Sequence, residues 1–375
     1  MLRRFVLPLL IAAVSLASAL ASPLAAQKPT TPADVRRVLG ALAHDSMEGR
    51  GSATVGGARA ARFIAAEMKK AGLEPLGDSG YFQRVPVTRD SVTVQPRGTT
   101  RRNADGTVTT TPPDPAAPIR KMERLRVRES LAALDTVPLE RKPAAVNVVG
   151  VIRGSDPTLK DEYILVDAHY DHLGMRGPGV NGDSIFNGAD DDASGVTAVL
   201  EIARQINAGA KPKRTIVFAA TMGEEVGLLG TNWYIAHPPI PLTQMAANLE
   251  IEMIARPDSL AGGVGKAWLT GYERSNMGET LAAKGIPIVP DKRPSENFFQ
   301  RSDNIAFAMK GIVAHTLSSF NLHKDYHQLT DDISRVDFDH MAGVINAAVA
   351  ATRILSDGTK PEWKAGGKPE PRTRP

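Results

Sequence analysis

The chain has 375 residues, 42% of them apolar and 23% charged, with a formal net charge of +4 and no cysteine. That length suits one large α/β domain or two small ones, and the missing thiol excludes disulfides, a cysteine-borne lipid anchor and thiolate metal ligation. The excess positive charge sits at the two ends, in Arg3 and Arg4 and in the basic residues of 358–375, which leaves a near-neutral body and argues against nucleic acid as a partner.

Residues 1–26 read as a secretory signal. Arg3 and Arg4 precede an apolar run over 5–17, and Ala19-Leu20-Ala21 fits the small-residue cleavage rule. The run is short for a membrane span. The expectation is therefore a periplasmic or secreted protein with no stable membrane association after cleavage. The domain proper is expected over 27–357. Thr31-Pro32-Ala33-Asp34 predicts a capped helix start, with Val35, Val38, Leu39 and Leu42 at helical spacing. A second helix is predicted over 57–71, stopped by Gly72. The glycine-rich HDSMEGRGSATVGG between them fits a connector or a substrate-side loop equally well. Residues 89–143 are polar and proline-rich without periodicity, which predicts an irregular insertion.

From Ala145 the pattern becomes regular. AVNVVGVI, YILVDA, RTIVFAATM, NLEIEMIA and IVAHTLSS read as strands. Helices are predicted at 194–207, at LLGTNWYIAH, SNMGETLAAKG and SDNIAFAMKG, and over 337–355. This alternation predicts an α/β fold with a mostly parallel sheet covered by helices on both faces. In such folds ligands gather at the carboxyl ends of strands. Residues 358–375 are expected to be a disordered basic, proline-containing tail.

Chemistry concentrates at those strand ends. His169 follows YILVDA, and Asp171, two residues on, is placed to accept the proton of its far ring nitrogen. GADDDASG sets three acids before a helix; the helix dipole accounts for one or two, and the middle one, Asp191, is the candidate bridging ligand. GEEVG puts two carboxylates after a buried strand, so one can bind metal while the other moves protons. DYHQLTDD supplies His327, with Asp331 or Asp332 to orient it. His172 lies beside Asp171 without an assigned role, and His44, His237, His315, His323 and His340 have no comparable context. Imidazole and carboxylate donors suit zinc. A carboxylate free to bridge suits two ions roughly 3.5–4 Å apart activating a shared water.

These motifs, in the order MEGRGSATVGGARAARFIAAEMKKAGLEPLG, NVVGVIRGSDPTLKDEYILVDAHYDHLG, GADDDASGVTAVLEIAR, GEEVGLLGT, RSDN and DYHQLTDD, resemble the secreted zinc exopeptidases of the M28 type, relatives of bacterial leucyl aminopeptidases and glutamate carboxypeptidase. The resemblance covers 31–356 apart from the insertion. It implies a three-layer α/β/α sandwich of the zinc-exopeptidase fold. It also implies two zinc ions per chain, one on His169, Asp191 and Glu252 and one on Asp191, Glu225 and His327. Glu224 matches the general base, Tyr326 a residue that stabilises the oxyanion, and Asp191–Asp192 a cis peptide. Glu252 departs from the family's aspartate, in register through the trailing MIAR. The implied activity is removal of N-terminal residues from peptides. A carboxypeptidase, a glutaminyl cyclase and a metal-stabilised binding ectodomain are the alternatives on the same scaffold.

Overall fold

The structure, a computed structural model, describes residues 28–96, 98–102 and 107–370. The expected signal at 1–26 lies outside them. In chain order the elements are α1 (Pro32–Leu42), α2 (Val55–Lys70), β1 (Glu74–Pro75), β2 (Phe82–Arg84), β3 (Val87–Val94), β4 (Thr99–Arg102), β5 (Val108–Thr111), β6 (Arg120–Val127), β7 (Val146–Ile152), β8 (Tyr163–His169), β9 (Gly174–Val180), β10 (Asp183–Phe186), α3 (Ala193–Ala208), β11 (Thr215–Thr221), α4 (Leu229–Ala236), β12 (Met245–Ile251), β13 (Ala267–Leu269), α5 (Met277–Ala283), β14 (Ile288–Pro290), α6 (Asn304–Met309), β15 (Ala314–Ser318) and α7 (Phe338–Asp357). Short 3₁₀ turns punctuate the connections.

Nine strands form the main sheet, in the order β1-β7-β11-β8-β12-β15-β13-β14 with β2 also on β7. Its centre, β11-β8-β12-β15, is parallel. Antiparallel pairings flank it at β7 and at β13. The central strands are buried on both faces, so they read as continuous apolar runs rather than alternating ones. Ile164, Val166 and Ala168 of β8 face the core shared with α1, α2, α3 and α7. Tyr163 and Leu165 face the opposite layer, where α4 and α6 supply Tyr234 and Phe307. The result is the expected three-layer α/β/α sandwich. Each large aliphatic side chain removed from water in these layers contributes about 1.5–3 kcal/mol.

The capping box at Thr31 forms as predicted, with Asp34 accepting from the Thr31 backbone N–H. Helix α2 ends at Lys70 and Gly72 adopts φ +79, a left-handed turn that favours glycine.

Two expectations are corrected. Residues 89–143 are not irregular: β3 and β6 pair antiparallel over eight positions, from Val87↔Val127 to Val94↔Arg120, and β4 pairs with β5. Only Val87, Leu125 and Val127 of this arm touch the core, so its apolar signal is half a strand long. The tail is packed through its described part. Trp363 donates its indole N–H to the Gly311 carbonyl, and the Lys364 backbone N–H donates to the Arg274 carbonyl. A single aromatic anchor among polar residues leaves no periodic pattern to read. Among the described residues no helix is long and apolar enough to cross a membrane.

Candidate metal centre

The parallel strands deliver their ends to one edge of the sheet. β8 ends on His169, the turn after β11 carries Glu224 and Glu225, Glu252 follows β12, and the connection after β15 carries His327. Asp191 reaches the same place from the turn before α3.

Asp191 is the shared member. Its Oδ1 lies 3.3 Å from His169 Nε2, and its Oδ2 lies 3.1 Å from His327 Nε2. Glu252 Oε1 is 3.9 Å from His169 Nε2 on one side. Glu225 Oε1 is 3.3 Å from His327 Nε2 on the other. All five residues expected to hold metal therefore converge, with Asp191 between the two groups. His172 joins the second group, its Nδ1 2.8 Å from Glu225 Oε1. The donor chemistry fits zinc, and so does the state of the donors. His169 Nε2, His172 Nδ1 and Glu225 Oε1 are buried with no hydrogen-bond partner, an arrangement that costs free energy unless a cation satisfies it. His169, Asp191 and Glu252 form one set able to hold an ion; His172, Asp191 and Glu225 form another.

The triple acid divides its work. Asp192 caps α3, accepting from Gly195 N at 2.9 Å, and also accepts from Met253 N at 3.1 Å. Asp190 accepts from Ala255 N and lies 2.8 Å from His323 Nε2. Asp191 is the one of the three whose carboxylate lies within 3.3 Å of both His169 and His327. The Asp191–Asp192 peptide is cis, as the resemblance implied.

Electrostatics separate the two glutamates of GEEVG. Burial pushes the Glu224 carboxyl up to about 10, and Glu252, Asp303 and Asp171 add to this against the pull of His169. Burial acts the same way on Glu225, but His172 and His327 outweigh it and hold that carboxyl down at about 2. Burial would lower His327, yet Asp191 and Glu225 raise it to about 9. Glu225 is thus held as an anion among imidazoles, whereas burial favours the protonated form of its neighbour Glu224.

Two expected contacts differ. The Asp171 carboxylate does not take the far nitrogen of His169: it accepts from Ser52 Oγ and Glu224 N, while His169 Nδ1 lies 3.1 Å from the Asp171 carbonyl oxygen and 3.8 Å from the carboxylate. Neither Asp331 nor Asp332 orients His327. Asp331 accepts from Asp190 N and Asp191 N, and Asp332 caps the turn 333–335. His327 is instead stacked on Tyr326, with ring centroids 3.9 Å apart. Tyr326 lines a small cavity beside Glu252, walled by Trp268, Phe298 and Phe320.

Sequence reasoning missed Arg50. This fully buried guanidinium donates to the carbonyls of Tyr170, Leu42, Asn187 and Gly188, and so fixes the backbone on both sides of the centre. It also missed the wall of the cleft. A cavity of about 640 Å³ reaches His172 and Glu225 between Leu125 and Arg89 of the β3–β6 arm, Met175 of β9 and Val226.

Residues 147–352 match the family described as peptidase family M28. The chain belongs to peptidase family M28. This M28 chain is 41% identical over 107 residues to a probable zinc metalloprotease of Pyrenophora teres f. teres, a stretch that is 28% of this chain and 22% of that one. It is 25% identical over 223 residues to a vacuolar membrane protease of Sclerotinia sclerotiorum, covering 58% of this chain and 18% of that protein. The match thus spans about a fifth of the length of these curated relatives. Among solved structures, an aminopeptidase from Aneurinibacillus sp. strain AM-1 superposes with a TM-score of 0.58 at 13% identity, covering 88% of this chain and 95% of that one. A zinc aminopeptidase from Bacillus subtilis gives 0.56 at 15%, covering 88% and 96%. At these identities the structural likeness establishes the fold.

Proposed function

We propose that the protein is an exported di-zinc aminopeptidase. The observation that carries the reading is Asp191, with one carboxylate oxygen turned to His169 and the other to His327. His169, Asp191 and Glu252 would hold one ion, and Asp191, Glu225 and His327 the other. Bound zinc would supply Lewis acidity and a water acidic enough to ionise near neutral pH.

The chain's own groups do the rest. Glu224 sits next to a ligand but outside both ligand sets, so as the carboxylate, the form that nearby bound cations would favour, it is placed to take the water's proton and return it to the leaving amine. Asp171 aims it, because its carboxylate holds the Glu224 backbone N–H. Tyr326 borders the centre on the Glu252 side, where its hydroxyl can donate to an oxyanion. The amino-end specificity rests on the named activity of the structural neighbours, and export on the charge-then-apolar pattern of residues 1–26.

The test is Glu224→Ala with its neighbour Glu225→Ala as the control. Glu224→Ala should retain two zinc ions by elemental analysis and lose turnover on a free-N-terminus peptide by about 10²–10⁴-fold. Glu225→Ala should lose metal. Equal metal loss in both, or an unchanged rate in Glu224→Ala, would refute the assigned roles. The wild-type chain should cleave free but not N-blocked peptides. Cleavage of blocked peptides would point to a carboxypeptidase, and cleavage of neither to a binding ectodomain.

A further inference from the structure

The two ion sites are not equivalent. The first offers three donor atoms, His169 Nε2, Asp191 Oδ1 and Glu252 Oε1. Around the second the chain places four. His327 Nε2 lies 3.1 Å from Asp191 Oδ2 and 3.3 Å from Glu225 Oε1, and His172 Nδ1 lies 2.8 Å from Glu225 Oε1 and 3.7 Å from Asp191 Oδ2. Donors of one tetrahedral zinc, each at about 2.0–2.1 Å from the ion, stand about 3.3 Å from one another. The four separations between an imidazole nitrogen and a carboxylate oxygen, from 2.8 to 3.7 Å, bracket that value.

The contact between His172 and Glu225 is not an ordinary hydrogen bond. Although the two atoms are 2.8 Å apart, His172 Nδ1 and Glu225 Oε1 are both buried without a hydrogen-bond partner. Two donors close together but not aimed at each other are what a shared cation requires. The ring is fully enclosed and cannot swing out to solvent. Its backbone is pinned by the bridge between His172 and Gly51 and by its N–H to the Arg50 carbonyl. Gly188 makes the room: a Cβ there would come within 2.5 Å of His172 Cδ2.

Resting on the di-zinc reading, we propose that His172 is a direct ligand of the second ion, through Nδ1. The second site is then closed by four protein ligands, two imidazoles and two carboxylates. The first, with three, keeps the open position that a reacting water needs. Asp191 and Glu225 would be anchored by an ion in the second site, and His169, Asp191 and Glu252 would leave an ion in the first with room for a water. The second site binds zinc more tightly and gives it up last.

The experiment uses the full chain loaded with two equivalents of zinc. X-ray absorption at the zinc edge counts imidazoles by their outer-shell scattering. The proposal expects three imidazoles shared by two ions, and a count of two would overturn it. This measurement needs no variant, so misfolding cannot confound it. In parallel, zinc retention under chelator competition is compared for wild type and His172→Ala. His172→Ala should weaken one of the two ions by more than about 100-fold, beyond the 10–100-fold typical of outer-shell partners, and leave the other unchanged. Wild-type retention of both ions in His172→Ala would also overturn it. A wild-type chain that never binds a second zinc would instead sink the di-zinc reading itself, which separates the two failures.

Discussion

Arg50 tests how far the centre depends on backbone carbonyls. Its Nε donates to Tyr170 O at 2.9 Å, Nη1 to Leu42 O at 2.9 Å and Asn187 O at 2.6 Å, and Nη2 to Gly188 O at 2.8 Å and Asp191 O at 3.4 Å. Among the described residues no carboxylate forms an ion pair with it, so its charge is spread over carbonyl dipoles. Arg50→Met nearly preserves volume, keeps water out and removes every donor. Of these five carbonyls Gly188 O keeps the Ala193 N–H, and the other four lose their partner at about 1–3 kcal/mol each, for a gross cost of about 4–12 kcal/mol. Relief of the buried charge pulls the net towards the lower figure. A loss of about 4 kcal/mol is large against a total stability of about 5–15 kcal/mol. The assay is urea unfolding of ion-free protein in chelator, followed by tryptophan fluorescence. Arg50→Lys, with three donors, should fall between wild type and Arg50→Met. A Met variant within about 1 kcal/mol of wild type would show that these carbonyls find other partners, and the argument would be wrong.

Two further outcomes are expected. Glu250 accepts from Ser302 Oγ, Asp303 N, Asn304 N and Thr316 Oγ1 at the start of α6, whereas Glu252 faces His169. Glu250→Ala should therefore lower the stability of ion-free protein by about 3 kcal/mol while zinc content holds, and Glu252→Ala should do the opposite; elemental analysis and urea unfolding on both would expose a reversed assignment. His315 is buried against Thr270 O and Ser275 Oγ, and burial lowers its pKa to about 4. The unfolded chain binds that proton near pH 6.5, so this group costs no stability above that value and a growing amount as pH falls towards 4, about 2 kcal/mol by pH 5. Between pH 7 and 5 the wild type should lose about 2 kcal/mol more than His315→Gln, and parallel slopes in the two proteins would remove His315 as the cause.

What the sequence revealed follows from how it encodes structure. The central strands were legible because burial on both faces makes them unbroken apolar runs, as in TIVFAAT of β11. The five candidate ligands were legible through the resemblance, which matched each motif to a position, and the structure brings all five together. The β3–β6 arm was not, since one of its faces is solvated and the other meets the core through only three side chains. Nor were contacts made by main-chain atoms. Nothing in MEGRG announces that Arg50 will bind five carbonyls, four of them more than a hundred residues away. Likewise the spacing of His169 and Asp171 correctly joined the two residues but could not say that the carbonyl, not the carboxylate, would meet the ring.

The acids next to the candidate ligands explain why five side chains from separate loops arrive together. Asp171, two residues after His169, takes the backbone N–H of Glu224 and so ties the β8 end to the β11 turn. Asp192, beside Asp191, takes Met253 N, and Asp190 takes Ala255 N, which lash the Glu252 segment to the Asp191 turn. Ser194 adds Ile254 N to the same seam. Asp331, four residues after His327, takes both Asp190 N and Asp191 N and brings in the last loop. Each link is a charge-assisted or neutral hydrogen bond from a backbone donor to a buried side-chain oxygen, stronger there than in water. Every candidate ligand is thereby held through a neighbour that faces away from the centre. An acid-rich motif such as ADDDASG is thus not a surplus of ligands. One carboxylate faces the centre, and the other two fix its distance to the residues opposite.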